Sequence, residues 1–259
     1  MTPKPYARLD LTGRVIIVTG GASGIGEAAS LLIASRGASV VVADMNDLGG
    51  KQTVAEIQAA GGRASYIRTD VSREADIEEM VRFAVSEFGG LHGAFNNAGL
   101  TSKGAPMSEM PIADWQQMIA VNLTGVFLCM KHEIAYMLRN GGGSVVNTSS
   151  GAGVVGFPNV PDYVAAKHGV VGLTRAAAVD YSAKGVRVNA ILPGGTDTPM
   201  LQHAMGQDPV VRDAVAKGHP IGRLANASEL AEAAAFLLSD AASFVTGAAL
   251  AVDGGYTCQ

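Results

Sequence analysis

A short apolar run at residues 15–19 leads without a break into Gly20-Gly21-Ala22-Ser23-Gly24-Ile25-Gly26, and a helical pattern begins inside that turn. Glycines there let the backbone come close to a ligand. A helix that starts in the turn presents free N–H groups and the positive end of its dipole. Together these make a cradle for a pyrophosphate, so Gly20, Ser23, Gly24, Ile25 and Gly26 are expected to bind a dinucleotide. The spacing is Gly-x-x-x-Gly-x-Gly rather than Gly-x-Gly-x-x-Gly. A P-loop is excluded because Glu27 stands where its Lys would be needed.

The rest of the chain repeats the same rhythm. Strands are expected at 15–19, 39–43, 64–68, 92–95, 144–148, 186–192 and 248–252. Helices are expected at 24–35, 48–60, 74–88, 112–139, 161–184 and 229–239. Short apolar strands alternating with longer helical patterns mean an α/β fold with a parallel sheet covered on both faces. No linker interrupts the 259 residues, so one domain is expected. Gly141, Gly142 and Gly143 read as a helix stop. Residues 193–220 fit least well, with Pro193, Pro199, Pro209 and Pro220 around Met200, Leu201 and Met205. Such a stretch reads as a substrate loop or lid.

Asp44 ends the second strand, eighteen residues after Gly26. A carboxylate there would accept hydrogen bonds from the adenosine ribose and repel a 2′-phosphate. Met45 follows it, with no Arg or Lys. NAD is therefore the expected cofactor. Asp70 and Val71, after the third strand, are candidates for an adenine edge, with a helix N-cap at Asp70 or Ser72 as a compatible reading.

Tyr163 and Lys167 are four residues apart in a helical pattern and so share one face. An ammonium beside a phenol favours the phenolate, which would let Tyr163 take the proton of an alcohol. Ser150, thirteen residues before Tyr163, lies just past the fifth strand, where it would hydrogen-bond a substrate oxygen; Ser149 is the neighbouring candidate. Asn122 sits in an apolar helix, where an amide either holds a structural network or a water.

These motifs together resemble the short-chain dehydrogenase/reductase family over residues 19–255. The match includes Thr-Gly-x-x-x-Gly-Ile-Gly at 19–26, Asn96-Asn97-Ala98-Gly99, Asn122, Ser150, Tyr163-x-x-x-Lys167 and Pro193-Gly194. The resemblance implies a single-domain, Rossmann-type, doubly wound parallel sheet of seven strands in the order 3-2-1-4-5-6-7, with helices on both faces. It implies a catalytic set of Asn122, Ser150, Tyr163 and Lys167, with Tyr163 as acid/base and Asn122 holding a water. Lys167 would lower the Tyr163 pKa and grip the nicotinamide ribose. It further implies cofactor contacts from Asn97, Ala98, Gly99, Pro193, Gly194, Thr196 and Thr198. Thr196 stands where the family usually has Ile or Val. Gly195 replaces a larger residue and is expected to widen the pocket.

The implied activity is hydride transfer between a secondary alcohol and its ketone. Candidate pocket residues Ser150, Ala152, Phe157, Gly195, Met200 and Met205 are mostly small or apolar, so a neutral, bulky or cyclic substrate is expected. An NADPH-dependent 3-oxoacyl thioester reductase and a catalytically silent dinucleotide-binding protein are the competing readings. The helix from 161 is apolar nearly all round, and similar chains are commonly tetramers, so a homotetramer is expected. A formal charge of −4 with no basic run speaks against nucleic acid. No apolar leader opens the chain, no stretch of about 18 apolar residues stands out, and Cys129 and Cys258 form no Cys-x-x-Cys unit. These features point to the cytoplasm with no membrane partner. Five scattered histidines give no metal site.

Overall fold

The computed structural model describes residues 9–205 and 208–258. Strand β1 (Val15–Thr19) leads into helix α1 (Gly24–Ser35), followed by β2 (Ser39–Asp44), α2 (Asp47–Ala59), β3 (Arg63–Arg68), α3 (Glu74–Phe88) and β4 (Gly93–Asn96). Then come α4 (Ile112–Ile119), α5 (Gly125–Met137), β5 (Gly143–Thr148), α6 (Pro161–Tyr181) and β6 (Val186–Pro193). The chain ends with β7 (Thr196–Asp197), α7 (Pro199–Ala204), α8 (Pro209–Lys217), β8 (Ala225–Asn226), α9 (Ala227–Leu238) and β9 (Ala249–Val252).

Seven strands form one sheet in the order β3-β2-β1-β4-β5-β6-β9, all parallel. This is the expected order, with β9 as the seventh strand. The two-residue strands β7 and β8 pair with each other outside it and were not foreseen. The apolar strands alternate despite having no polar face. Ile16, Val18, Val40 and Val42 pack on α1, α2 and α9, while Val15, Ile17, Val41 and Ala43 pack on α3, α5 and α6. Successive side chains point to opposite faces of a strand, so a continuous apolar run serves two helical layers at once. The crossovers bring the carboxyl ends of β1, β2, β4, β5 and β6 to one edge, which is where such folds bind ligands.

The helix expected at 112–139 is broken by a π turn at Ala120–Thr124. Asn122 lies at its centre. Its side chain is fully buried, accepts from the Leu100 N–H at 2.7 Å and donates to the Leu100 carbonyl at 2.8 Å. Those bonds pull the turn toward the β4–α4 loop. By length and composition Ile112–Met137 would pass for a membrane-crossing helix, against the sequence reading. In the fold its residues Val126, Met130, Ile134 and Met137 pack on the sheet as core.

On α5, Glu133 is buried against Asn96, whose amide donates to it at 3.0 Å, and Asn96 also donates to Asn147. Neither Glu133 Oε1 nor Asn96 Oδ1 has a partner within the protein. Burial pushes the Glu133 carboxyl up to about 7, opposed by the Asn96 amide. A carboxyl raised on folding stabilises least when ionised, so stability is lost as pH climbs from the ordinary Glu value to about 7. Glu133→Gln removes that loss and supplies a donor for Asn96. Thermal melts between pH 5 and 8 are expected to show the variant gaining on the wild type up to about pH 7 and holding a constant lead above it, on the order of 2 kcal/mol.

Candidate active site

The strand ends are tied to one another before any helix contributes. The Thr19 hydroxyl accepts the N–H groups of Asn97 (3.0 Å) and Ala98 (3.1 Å). The Asn97 amide reaches back to the Thr19 and Gly20 carbonyls, and its oxygen accepts from the Thr148 hydroxyl. β1, β4 and β5 are thereby laced together below a cavity of about 1270 Å³.

At one end of the cavity lies the glycine turn. Gly20, Ser23, Gly24 and Ile25 line it, whereas Gly26 does not. Gly26 is instead packed inward, where a Cβ would stand 2.0 Å from the Gly20 carbonyl oxygen. The need for glycine there is steric, and it shapes the cradle from behind. Ser23 makes no capping bond, and the first-turn N–H groups of a helix have no intrahelical acceptor. Asp44 closes the turn by accepting from Ala22 N (3.0 Å) and Asn46 N (2.9 Å); a carboxylate has acceptor capacity beyond two bonds. Asp70 and Val71 also line this end. Asp70 accepts from the backbone and hydroxyl of Ser72, and the α3 N-cap falls on Arg73, so neither expected cap is used.

At the other end stand Ser150, Tyr163 and Lys167. α6 begins with Pro161 at its first position, and Asp162 in that turn accepts from the Tyr163 N–H and from the Ser102 hydroxyl, both at 2.8 Å. Lys167 is buried, donates to the Thr148 carbonyl at 2.8 Å and sits 5.5 Å from the centre of the Tyr163 ring. Burial brings the Lys167 ammonium down to about 8. Burial raises the Tyr163 phenol above its ordinary range, and the Ser150 hydroxyl draws it part of the way back. Burial, and not the Lys167 ammonium expected to lower it, governs the direction of this shift. Ser149 lines the cavity beside Ser150, and its hydroxyl donates to the Lys167 carbonyl at 2.9 Å.

Asn97, Ala98, Gly99, Pro193, Gly194, Gly195, Thr196, Thr198, Phe157 and Met200 line the cavity as expected. Asn122, Ala152 and Met205 do not. The Asn122 amide is engaged by Leu100. Ala152 is buried in the turn after β5, where its N–H donates to the Ser150 hydroxyl. Met205 is buried behind α7. Sequence reasoning missed Gln117, Val210, Val211, Ala214, Val215, His219 and Tyr256. The α8 residues carried a helical apolar spacing that would have revealed them, and Tyr256 follows the last strand's carboxyl end. His219 carried no such signal. The cavity's wall on this side is apolar and aromatic, with Tyr256 stacked on Phe157 at 5.4 Å.

A family model described as Enoyl-(Acyl carrier protein) reductase matches residues 20–257. The chain belongs to the short-chain dehydrogenase/reductase family, oxidoreductases that bind a nicotinamide dinucleotide and act on CH–OH groups. It is 52% identical over 249 residues, 96% of this chain and 98% of the relative, to the 2,5-dichloro-2,5-cyclohexadiene-1,4-diol dehydrogenase of Sphingobium indicum. It is 46% identical, over 95% of this chain and 96% of the relative, to the cyclohexanol dehydrogenase of an Acinetobacter species. The crystal structure of levodione reductase superposes with a TM-score of 0.92 at 39% identity, covering 95% of this chain and 98% of that one.

A base whose pKa is raised gains its active form as pH rises. The kcat/KM for alcohol oxidation is therefore expected to climb close to tenfold per pH unit from about 6 to about 8, followed by absorbance of the reduced nicotinamide. A flat profile over that range would show that Tyr163 is not the titrating base.

Proposed function

We propose that this enzyme is an NAD-dependent oxidoreductase that interconverts a neutral, cyclic or otherwise bulky secondary alcohol and its ketone. The observation that carries this reading is a single continuous cavity with Asp44 at one end, the Ser150–Tyr163–Lys167 group at the other, and an apolar wall beside that group.

The residues present fit a dinucleotide. The glycine turn leaves no room for side chains, since a Cβ on Gly20 would stand 2.9 Å from Ala98 Cα and one on Gly24 3.2 Å from Thr198 Cγ2. Gly20, Ser23, Gly24 and Ile25 would hold the pyrophosphate, with Gly26 shaping their turn. Asp44 would accept from the adenosine ribose, and Asp70 and Val71 would meet the adenine. Asn97, Ala98 and Gly99 would line the middle. Pro193, Gly194, Thr196 and Thr198 would lie along the nicotinamide. Arg68 stands opposite Asp44 in the sheet register, but its guanidinium is engaged by the Met45 carbonyl and Asp47. The charged side chains that line this end are the carboxylates of Asp44 and Asp70; the one at Asp44 favours NAD and argues against the NADPH-dependent thioester reductase.

A bound nicotinamide supplies the hydride acceptor or donor. Ser150 donates to the substrate oxygen and orients it. Tyr163, as phenolate, takes the alcohol proton during oxidation and, as phenol, returns it during reduction. Lys167 places positive charge beside Tyr163 and is held in position by the Thr148 carbonyl. Asn122 acts from behind: its side chain locks Leu100, and its π turn releases backbone from the regular helical ladder, where a water that relays protons from Lys167 can be held. Residues 193–205 and 208–220 would form the lid, with Met200 on α7 and Val211 and Val215 on α8 facing substrate; residues 206 and 207 of the expected loop lie outside the described residues. No charged side chain among the substrate-facing residues offers a clamp for a carboxylate, and the six-membered carbocycles named in the relatives above suit such walls.

Tyr163→Phe is expected to lower kcat by at least about a hundredfold while NADH binding, followed by fluorescence, stays within a factor of about two. On a panel of cyclohexanols and neutral cyclic ketones the wild type should prefer NAD over NADP by about tenfold or more, which corresponds to about 1.4 kcal/mol. Preference for NADP would bring the thioester reductase reading forward.

We also infer a cytoplasmic homotetramer. Phe127 on α5 and Val179 on α6 are 47% and 84% exposed, and Leu123, Phe127, Gly169 and Leu173 line an apolar notch of about 350 Å³. Such a patch between two helices suits a paired-helix interface. Sedimentation should give four times the chain mass, and Phe127→Glu should shift the species to a smaller assembly.

A further inference from the structure

The missing side chain of Gly195 does not enlarge the pocket as the sequence suggested. A Cβ on Gly195 would stand 2.9 Å from His219 Cε1 and 2.9 Å from Leu224 Cδ2, and one on Gly194 would stand 2.8 Å from His219 Nε2. The space belongs to the His219 ring. His219 follows the end of α8 and is 5% exposed. Its two ring nitrogens have partners of opposite kind. Nδ1 lies 2.7 Å from the Val215 carbonyl oxygen, which can only accept, so Nδ1 carries the proton. Nε2 is then bare and accepts the Gly195 N–H at 2.8 Å. On another side the ring meets Tyr256, with centroids 5.1 Å apart, and Tyr256 in turn stacks on Phe157. One neutral imidazole thus joins the last turn of the lid helix, the turn after β6 and the aromatic wall of the cavity.

We propose that His219 is a positioning residue that acts through the Gly195 amide. It sets the Gly194–Thr196 backbone on which the nicotinamide half of the dinucleotide rests, and it couples that backbone to α8. The proposal rests on the dinucleotide reading given above. Its consequence is that cofactor and substrate wall are held in register by one side chain that touches neither the adenosine end nor the proton-transferring groups. Gly195 N has no other acceptor in the turn, so loss of Nε2 leaves a part-buried donor on the cavity wall without its partner, and the cost falls on the nicotinamide half alone.

Two variants separate the ring's bonds. His219→Asn keeps a donor close to the Val215 carbonyl but is too short to reach Gly195. His219→Gln is long enough to offer Gly195 an acceptor. NADH and ADP-ribose are titrated into the full-length wild type and both variants, with far-ultraviolet circular dichroism as the folding control and kcat and KM measured in parallel. His219→Asn is expected to weaken NADH by up to about tenfold, the effect of one part-buried amide that loses its acceptor, with ADP-ribose unchanged and kcat lowered. His219→Gln is expected to restore most of the loss. The proposal is overturned if His219→Asn changes both ligands alike or neither, or if a folded His219→Gln binds ADP-ribose normally but has lost NADH. If the wild type itself binds neither ligand, the dinucleotide reading fails, and this proposal falls with it.

Discussion

The hydroxyl of Thr19 is a small group with a wide reach. By accepting the N–H groups of Asn97 and Ala98 it joins the ends of β1 and β4, and through Asn97 the knot extends to the Thr148 hydroxyl on β5. The Thr148 carbonyl then receives Lys167, which stands one helical turn from Tyr163. Lys167 and the floor of the cavity are therefore parts of one hydrogen-bonded unit. A parallel sheet presents unpaired backbone groups at its strand ends. Here those groups and their side chains bond one another, which leaves a rigid edge from which a cavity can be built.

Two buried polar arrangements flank this unit, and they differ in character. Asn122 is fully satisfied, with its amide bonded on both sides to Leu100, and it lies at the centre of a π turn. Glu133 is only half satisfied and is held close to its neutral form by burial. A satisfied buried amide gives a single geometry, whereas a half-satisfied carboxyl makes stability depend on pH. The first kind is suited to positioning Leu100 on the cavity wall, and the second leaves a weak point in the core under α5.

Much of the fold was legible because the pattern was local. The continuous apolar strands, the glycine turn and the four-residue spacing of Tyr163 and Lys167 each state their structure within a few residues. Element ends shifted by a residue or two, as at β3 and α9, because the hydrogen bonds that end an element are not spelled in its apolar period. The site was legible wherever a motif carried it. It was not legible at Ala152 and Met205, whose side chains turn into the interior, or at Val211, Val215, His219 and Tyr256, which reach the cavity only because α8 and the tail fold back over β6.

The amino-acid order alone determined the doubly wound sheet, the glycine turn at Gly20–Gly26, the acidic end at Asp44 and the pairing of Tyr163 with Lys167, since each follows from short-range spacing and the alternation of apolar runs; the addition of Ser150 to that pair is what the family resemblance implied. Three matters were decided only by tertiary packing. One was the rise of the Tyr163 pKa in place of the expected fall, because burial depends on what surrounds the ring. Another was the conversion of the Gly195 gap into a seat for His219, because the occupant comes from 24 residues away. The last was the engagement of the Ser149 hydroxyl, which a single long-range bond ties to the Lys167 carbonyl. Desolvation, steric occupancy and long-range hydrogen bonds all depend on neighbours that only the folded chain supplies.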